Sequence, residues 1–265
     1  MLFCGLLFWF GSGLWAQDTA PDRWTPEDII HTETFRNAQF SPDKKMVVWT
    51  KRRGVKKSDK FVSDLWLTRL DIEKDGQFKT IRLTQSDESD YSPFFSKDGE
   101  TIYFLSSREK GKKLWALSIY GGEPAEVSEF KNGISSPKWL NDSTLLYTSN
   151  DGKTWYEQDL KEKKDNTVVV EDEDHWTIRK LYAFDVKSKK SRRITNNAFP
   201  VSDYSVSKDG RFVVFSTTQS LHYPSDAQPK PKIYLQNIET GETVEILAGI
   251  HAAGNFEFTA DHTGF

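Results

Sequence analysis

Apolar and polar positions alternate along this chain in a pattern that recurs. Phe94-Phe95 closes one apolar run, Ser96-Lys97-Asp98-Gly99 is polar, and Ile102-Tyr103-Phe104-Leu105 opens the next. This predicts strand, tight turn, strand, because Asp and Gly accept the positive-φ positions of a hairpin. The unbroken run 102–105 is the mark of a strand covered on both faces. Lys113-Leu114-Trp115-Ala116-Leu117 then predicts a third strand, Gly121-Gly122-Glu123 a turn, and Pro124-Ala125-Glu126-Val127-Ser128 a fourth.

The same order of elements appears three more times. Upstream it is Gln39-Phe40-Ser41-Pro42-Asp43 with Met46-Val47-Val48-Trp49, then Asp64-Leu65-Trp66-Leu67, then Ile81-Arg82-Leu83-Thr84. Downstream it is Pro137-Lys138-Trp139-Leu140-Asn141-Asp142 with Leu145-Leu146-Tyr147, then Leu181-Tyr182-Ala183-Phe184, then Arg193-Ile194-Thr195. A further copy holds Ser207-Lys208-Asp209-Gly210 with Phe212-Val213-Val214-Phe215, then Ile233-Tyr234-Leu235, then Val244-Glu245-Ile246. A fifth begins at Phe256-Glu257-Phe258-Thr259-Ala260-Asp261. A four-stranded unit recurring every ~40–50 residues predicts an all-β fold, a β-propeller with blades over about 36–85, 91–129, 134–196 and 203–248 and the start of another at 255–265. An ordinary β-sandwich would also contain hairpins, but agreement of strand order and turn position in four copies favours the propeller. Trp66, Trp115, Tyr182 and Tyr234 fall at one repeat position. Large rings there are expected to pack between neighbouring blades.

The loop between the second and third strands is long in three copies. It holds a basic run, Lys51-Arg52-Arg53-Gly54-Val55-Lys56-Lys57-Ser58-Asp59-Lys60, in the first, and residues 150–179 in the third. In the fourth it spans 220–231. Equivalent loops of a propeller emerge on one face, and long loops on a rigid scaffold carry function. The plainer reading of the basic run is a solvated hairpin tip. Before the repeats, residues 17–35 form an extension with one helical candidate, 22–35. There Thr25-Pro26-Glu27-Asp28 offers an N-cap, a first-turn proline and first-turn acids, and Ile29 and Ile30 are the expected buried residues.

Residues 2–15 are an apolar run too short to span a bilayer comfortably, and Ala16-Gln17 follows. This resembles a secretory signal peptide cut near Ala16, although no Lys or Arg precedes the apolar run; the alternative is an anchor that stays attached. The expectation is an exported chain, secreted or periplasmic, with no stable membrane insertion after cleavage. Cys4 is the only cysteine, so the chain beyond residue 16 has no thiol for disulfides or cysteine–metal chemistry. A formal charge of −3 gives no argument for nucleic acid.

No G-x-S-x-G nucleophile elbow occurs, and Gly11-Ser12-Gly13 does not fit one. His31, His175, His222, His251 and His262 are scattered, with no pair at metal-ligand spacing. Glu171-Asp172-Glu173-Asp174 lacks the glycine turn and spaced ligands of a calcium loop. No catalytic, cofactor-binding or metal-binding residue is therefore assigned, and no cofactor is expected.

The Ser-Pro-Asp and Ser-Lys-Asp-Gly turns resemble the repeats of TolB-type propellers and of the prolyl oligopeptidase family. Trp24-Thr25-Pro26-Glu27-Asp28-Ile29-Ile30 ahead of Asn37-Ala38-Gln39-Phe40-Ser41-Pro42-Asp43 is similar to the opening of acylaminoacyl-peptidase and dipeptidyl-peptidase members of the second family. So are Ser63-Asp64-Leu65-Trp66-Leu67, Gly121-Gly122-Glu123-Pro124, and the acidic insertion before Arg179-Lys180-Leu181-Tyr182. The resemblance implies an exported serine peptidase whose propeller restricts peptide access to an α/β-hydrolase domain absent from these residues, with peptides as its partners. No triad residue carries over. The alternative is a TolB-like periplasmic propeller that binds proteins without catalysis; a self-contained sugar-binding propeller is a weaker third reading.

Overall fold

A computed structural model describes residues 24–108, 113–152, 155–165, 176–249, 257–259 and 264. The apolar run 2–15 and Ala16 lie outside these, as do Glu171-Asp172-Glu173-Asp174 and His175.

Sixteen strands form four antiparallel four-stranded sheets, each in simple up-and-down order among the described residues. The first holds β1 (Thr34–Phe40), β2 (Met46–Val55), β3 (Lys60–Lys74) and β4 (Gln77–Arg82). The second holds β5 (Asp90–Phe95), β6 (Thr101–Ser106), β7 (Lys113–Ser118) and β8 (Ala125–Glu129). The third holds β9 (Ser135–Trp139), β10 (Thr144–Asn150), β11 (Arg179–Asp185) and β12 (Lys190–Arg193). The fourth holds β13 (Val201–Val206), β14 (Phe212–Thr217), β15 (Lys232–Asn237) and β16 (Thr243–Ile246). This is the blade arrangement of a propeller, as the repeats predict.

The expected turns close by one device. The Ser41, Ser96 and Ser207 hydroxyls each accept the amide N–H of the residue five ahead, at 2.9 Å, and each lies within 2.7 Å of the carboxylate two residues on. Thr259 repeats it, since its Oγ1 accepts the Gly264 amide at 3.0 Å. Asn141 substitutes in the third sheet by accepting the Ser143 and Thr144 amides. The Ser96 hydroxyl, then the Glu100 amide, hold the Asp98 carboxyl below the usual carboxylate range. Because the folded value is depressed, this contribution is complete above the ordinary value near ~4 and is lost as pH falls through the folded one. Ser96→Ala is expected to return the Asp98 titration toward its ordinary value, read by NMR. Its destabilisation in urea should shrink as pH drops below ~4; a destabilisation independent of pH would contradict the assignment.

Glycine in this turn answers two demands. Gly210 has φ 71°, and a Cβ there would lie 2.9 Å from the Leu140 carbonyl oxygen of the preceding sheet. Gly99, at φ 79°, is less crowded, since a Cβ there would lie 3.3 Å from Pro42 Cδ. Gly210→Ala is expected to cost about 2 kcal/mol, from the left-handed conformation and the forced shift of Leu140 together. An unchanged melting temperature would show that the two sheets do not meet at this turn.

Three apolar interfaces join the sheets. Met46, Val48, Leu65 and Leu67 of the first meet Phe95, Ile102, Phe104, Trp115 and Leu117 of the second. Leu105 and Leu114 meet Ile134, Leu145, Tyr147 and Phe184 of the third. Leu140, Leu146, Leu181 and Ala183 meet Val201, Tyr204, Val213 and Phe215 of the fourth. The aromatic positions are in register: Trp66 faces Trp49, Trp115 faces Phe104, Tyr182 faces Tyr147 and Tyr234 faces Phe215. Side-chain hydrogen bonds stitch the same seams. Trp139 Nε1 donates to the Phe95 carbonyl at 2.7 Å, Lys138 Nζ to the Tyr204 carbonyl, and Gln236 Nε2 to the Ile194 carbonyl at 2.8 Å. The Tyr204 hydroxyl lies 2.9 Å from the Leu146 carbonyl oxygen, and burial pushes this phenol well up.

Two expectations are corrected. Among the described residues of the helical candidate 22–35, which begin at Trp24, only Pro26–His31 (α1) is helical, with the Thr25–Asp28 capping box in place. Six residues make too few turns to bury an apolar stripe: Ile29 is 62% exposed and Ile30 half-buried. The expected first-sheet loop 51–60 is mostly strand. The β2–β3 ladder runs unbroken to Val55 opposite Lys60, leaving only a short turn at Lys56–Ser58 and Asp59. Lys51, Arg52 and Arg53 can belong to strands because their long stems lie along the sheet, as where the Arg52 guanidinium sits 3.6 Å over the Phe61 ring.

Candidate functional rim and inner wall

Every second strand ends, and every third strand begins, on one face of the array, so the inter-strand loops gather there. The link from one sheet to the next is tied to the same face. Ser89 Oγ accepts the Ser63 amide at 3.2 Å, Ser149 Oγ donates to the Gly133 carbonyl at 2.7 Å, and Asn197 Nδ2 donates to the Arg179 carbonyl at 3.0 Å. The loop bases are therefore rigid. The loops differ from sheet to sheet: a long hairpin in the first, α2 (Trp155–Glu162) within the insertion of the third, and α3 (Tyr223–Asp226) in the fourth.

Acidic anchors hold the rim, and the sequence reading missed them. Asp64 is buried and accepts Arg82 Nη2 at 2.7 Å and Arg53 Nε at 3.4 Å. Asp90 is wholly buried; it accepts both Arg108 Nη2 at 2.6 Å and Nε at 3.2 Å, and the Ser106 hydroxyl at 2.7 Å. Arg108 also lies 5.2 Å over the Trp115 ring. Asp151 accepts Lys180 Nζ at 2.6 Å and the Tyr182 hydroxyl at 2.8 Å. Lys180 and then Tyr182 hold the Asp151 carboxyl low, while burial and then Asp151 push the Tyr182 phenol up to about 12. The available signal was an acid inside an apolar strand, such as Asp64 between Val62 and Leu65, which needs a cation to be buried.

The innermost strands make the second part of the site. Asn37, Ser92 and Ser136 take φ of 52°, 50° and 49° at equivalent positions, where β1, β5 and β9 each break register with their neighbours. These bulges bend the inner strands. A cavity of 530 Å³ runs across them, walled by Gln39, Phe40, Phe94, Lys138 and Trp139 with Pro42, Pro93 and Pro137. It is concave and of mixed character, with Asn37, Ser92, Ser136 and Lys97 also on its lining. Phe94, Tyr103 and Trp139 pack edge-to-face and stacked, with centroids 5.3–5.9 Å apart, so the wall is stiff.

The expected absence of catalytic machinery concerns five histidines, of which His175, His251 and His262 lie outside the described residues. His31 and His222 are exposed, one on α1 and one in the fourth-sheet loop. No group of three or more metal-ligating side chains occurs among the described residues, and no described helix is long and apolar enough to cross a membrane. The arrangement offers walls, loops and fixed charges for holding or excluding a chain-like ligand.

No family model matches the chain. A curated relative, "Uncharacterized peptidase YuxL" of Bacillus subtilis, is 25% identical over 229 residues, which are 80% of this chain and 33% of the relative. The chain thus spans about a third of that relative's length. The acylaminoacyl peptidase of Pyrococcus horikoshii superposes with a TM-score of 0.55 at 18% identity, over 84% of this chain and 34% of that one. TolB from Acinetobacter baumannii superposes with a TM-score of 0.51 at 13% identity, over 81% and 43%. The two superpositions share the propeller-like fold of this chain, and the resemblance to acylaminoacyl-peptidase-type chains over this region holds.

Proposed function

We propose that this chain is the propeller segment of an exported peptidase of the prolyl oligopeptidase type, and that it controls which peptides reach a hydrolase domain. The observation that carries this reading is the similarity to two peptidases over at least 80% of the chain, each of which extends well beyond the matched region. The loops collected on one face and the packed aromatic side chains of the inner wall suit a steric filter. Export is supported by the apolar run 2–15 ending at Ala16-Gln17 and by the lack of any cysteine after Cys4. The likeness to TolB favours a second reading, a non-catalytic protein-binding propeller in the periplasm.

A longer reading frame containing further blades and a G-x-S-x-G elbow separates the two readings. In that full-length protein, shortening the third-sheet insertion 150–179 is expected to raise hydrolysis of long peptides about tenfold relative to dipeptides, with the dipeptide rate unchanged. An unchanged ratio of long to short substrates would remove the filtering role.

A further inference from the structure

Six cations crowd the β2–β3 hairpin, and most are spoken for. Lys51 pairs with Glu33, Lys56 with Glu27, and Lys60 with Glu88 at 2.8 Å. Arg52 covers the Phe61 ring. Arg53 shares Asp64 with Arg82, which holds the closer position, 2.7 Å against 3.4 Å. Lys57 is in no ion pair among the described residues. Arg53, Lys57 and Lys60 line one cavity of 360 Å³ together with Val55, Ser58, Val62 and one acid, Asp87. The cavity opens on the loop-bearing face.

We infer that this cavity is a binding site for the carboxylate of a peptide, with Lys57 and Arg53 as its charge partners and the partly exposed Val55 beside the adjoining aliphatic side chain. Asp64 is already satisfied by Arg82, so Arg53 can turn its outer nitrogens to a ligand without stranding a buried acid. A guanidinium beside an ammonium matches a carboxylate, since the first supplies two parallel donors and the second a point charge. Asp87 opposes a dianion, which argues against phosphate. The identity of the ligand as a peptide rests on the peptidase reading above; the carboxylate chemistry does not.

Binding is measured on the full chain by following the Lys57 and Ser58 backbone amides in NMR titrations. Three probes are compared: N-acetyl-Ala-Ala with a free carboxylate, its C-terminal amide, and N-acetyl-Glu-Ala amide. The free acid is expected to saturate the shifts and the amide not; the glutamyl amide reports whether a side-chain carboxylate also serves. Lys57→Gln should weaken the acid about tenfold, Asp87→Asn should tighten it, and raising salt should weaken it. Equal responses to acid and amide, or wild-type affinity in Lys57→Gln, would overturn the site. No hydrolysis is read, so failure here leaves the filtering role to be judged by its own substrate ratio.

Discussion

Trp115→Ala is expected to lower stability by ~3–5 kcal/mol, the cost of emptying an aromatic site between two packed sheets. The indole is 9% exposed and lies among Met46, Val48, Leu65 and Leu67 of the first sheet and Phe104 and Leu117 of its own. Its Nε1 has no hydrogen-bond partner, so the wild type already carries an unmet donor worth ~1–3 kcal/mol. Trp115→Phe removes that donor and keeps most of the area, and should cost less than ~1.5 kcal/mol. Trp66 holds the matching strand position but stays half-exposed, stacked on Trp49 with the Phe35 ring tilted against Trp49 beyond it. No described sheet covers that side, so Trp66→Ala should cost clearly less than Trp115→Ala. Urea unfolding of the three variants decides it. An unchanged midpoint for Trp115→Ala, or equal losses at Trp66 and Trp115, would refute the interface.

The contrast between these tryptophans also shows how far the sequence could be read. Their shared position was legible because strand alternation and turn spacing fix register. The turns were legible because Ser41, Ser96 and Ser207 each sit two residues before an acid and five before the next strand, and Thr259 keeps that spacing to Gly264. The hairpin at 51–60 was not, since a run of Lys and Arg carries no apolar alternation even where it pairs as strand. The bulges at Asn37, Ser92 and Ser136 left only an indirect trace, a proline after two of the three. The anchors were least visible. Asp90 and Arg108 are 18 residues apart and meet only after two strands have paired. Fixed charges that organise the rim are tertiary facts, whereas the scaffold beneath them is written locally.

That division bears on the last expected result, which is that the chain by itself hydrolyses no aminoacyl or acylaminoacyl ester or amide at any pH. Covalent peptidase chemistry requires a nucleophile, a base within hydrogen-bond reach and a group that orients the base. Ser41, Ser96 and Ser207 are consumed by their turns, each hydroxyl already donating to a carboxylate or carbonyl. Ser106 donates to Asp90, and Ser149 to a backbone carbonyl. Among the described residues no hydrogen bond to the His31 or His222 imidazole occurs, so neither is placed there as a base. An oxyanion hole would be worth ~10²–10³ in rate, but it needs backbone donors beside a serine at a strand-to-helix elbow, and no G-x-S-x-G supplies one. The assay is a panel of chromogenic dipeptide and acyl-amino-acid substrates run beside a serine-directed fluorophosphonate probe. Turnover that co-purifies with the chain, together with labelling of one of its serines, would overturn the steric role and locate a nucleophile in these sheets.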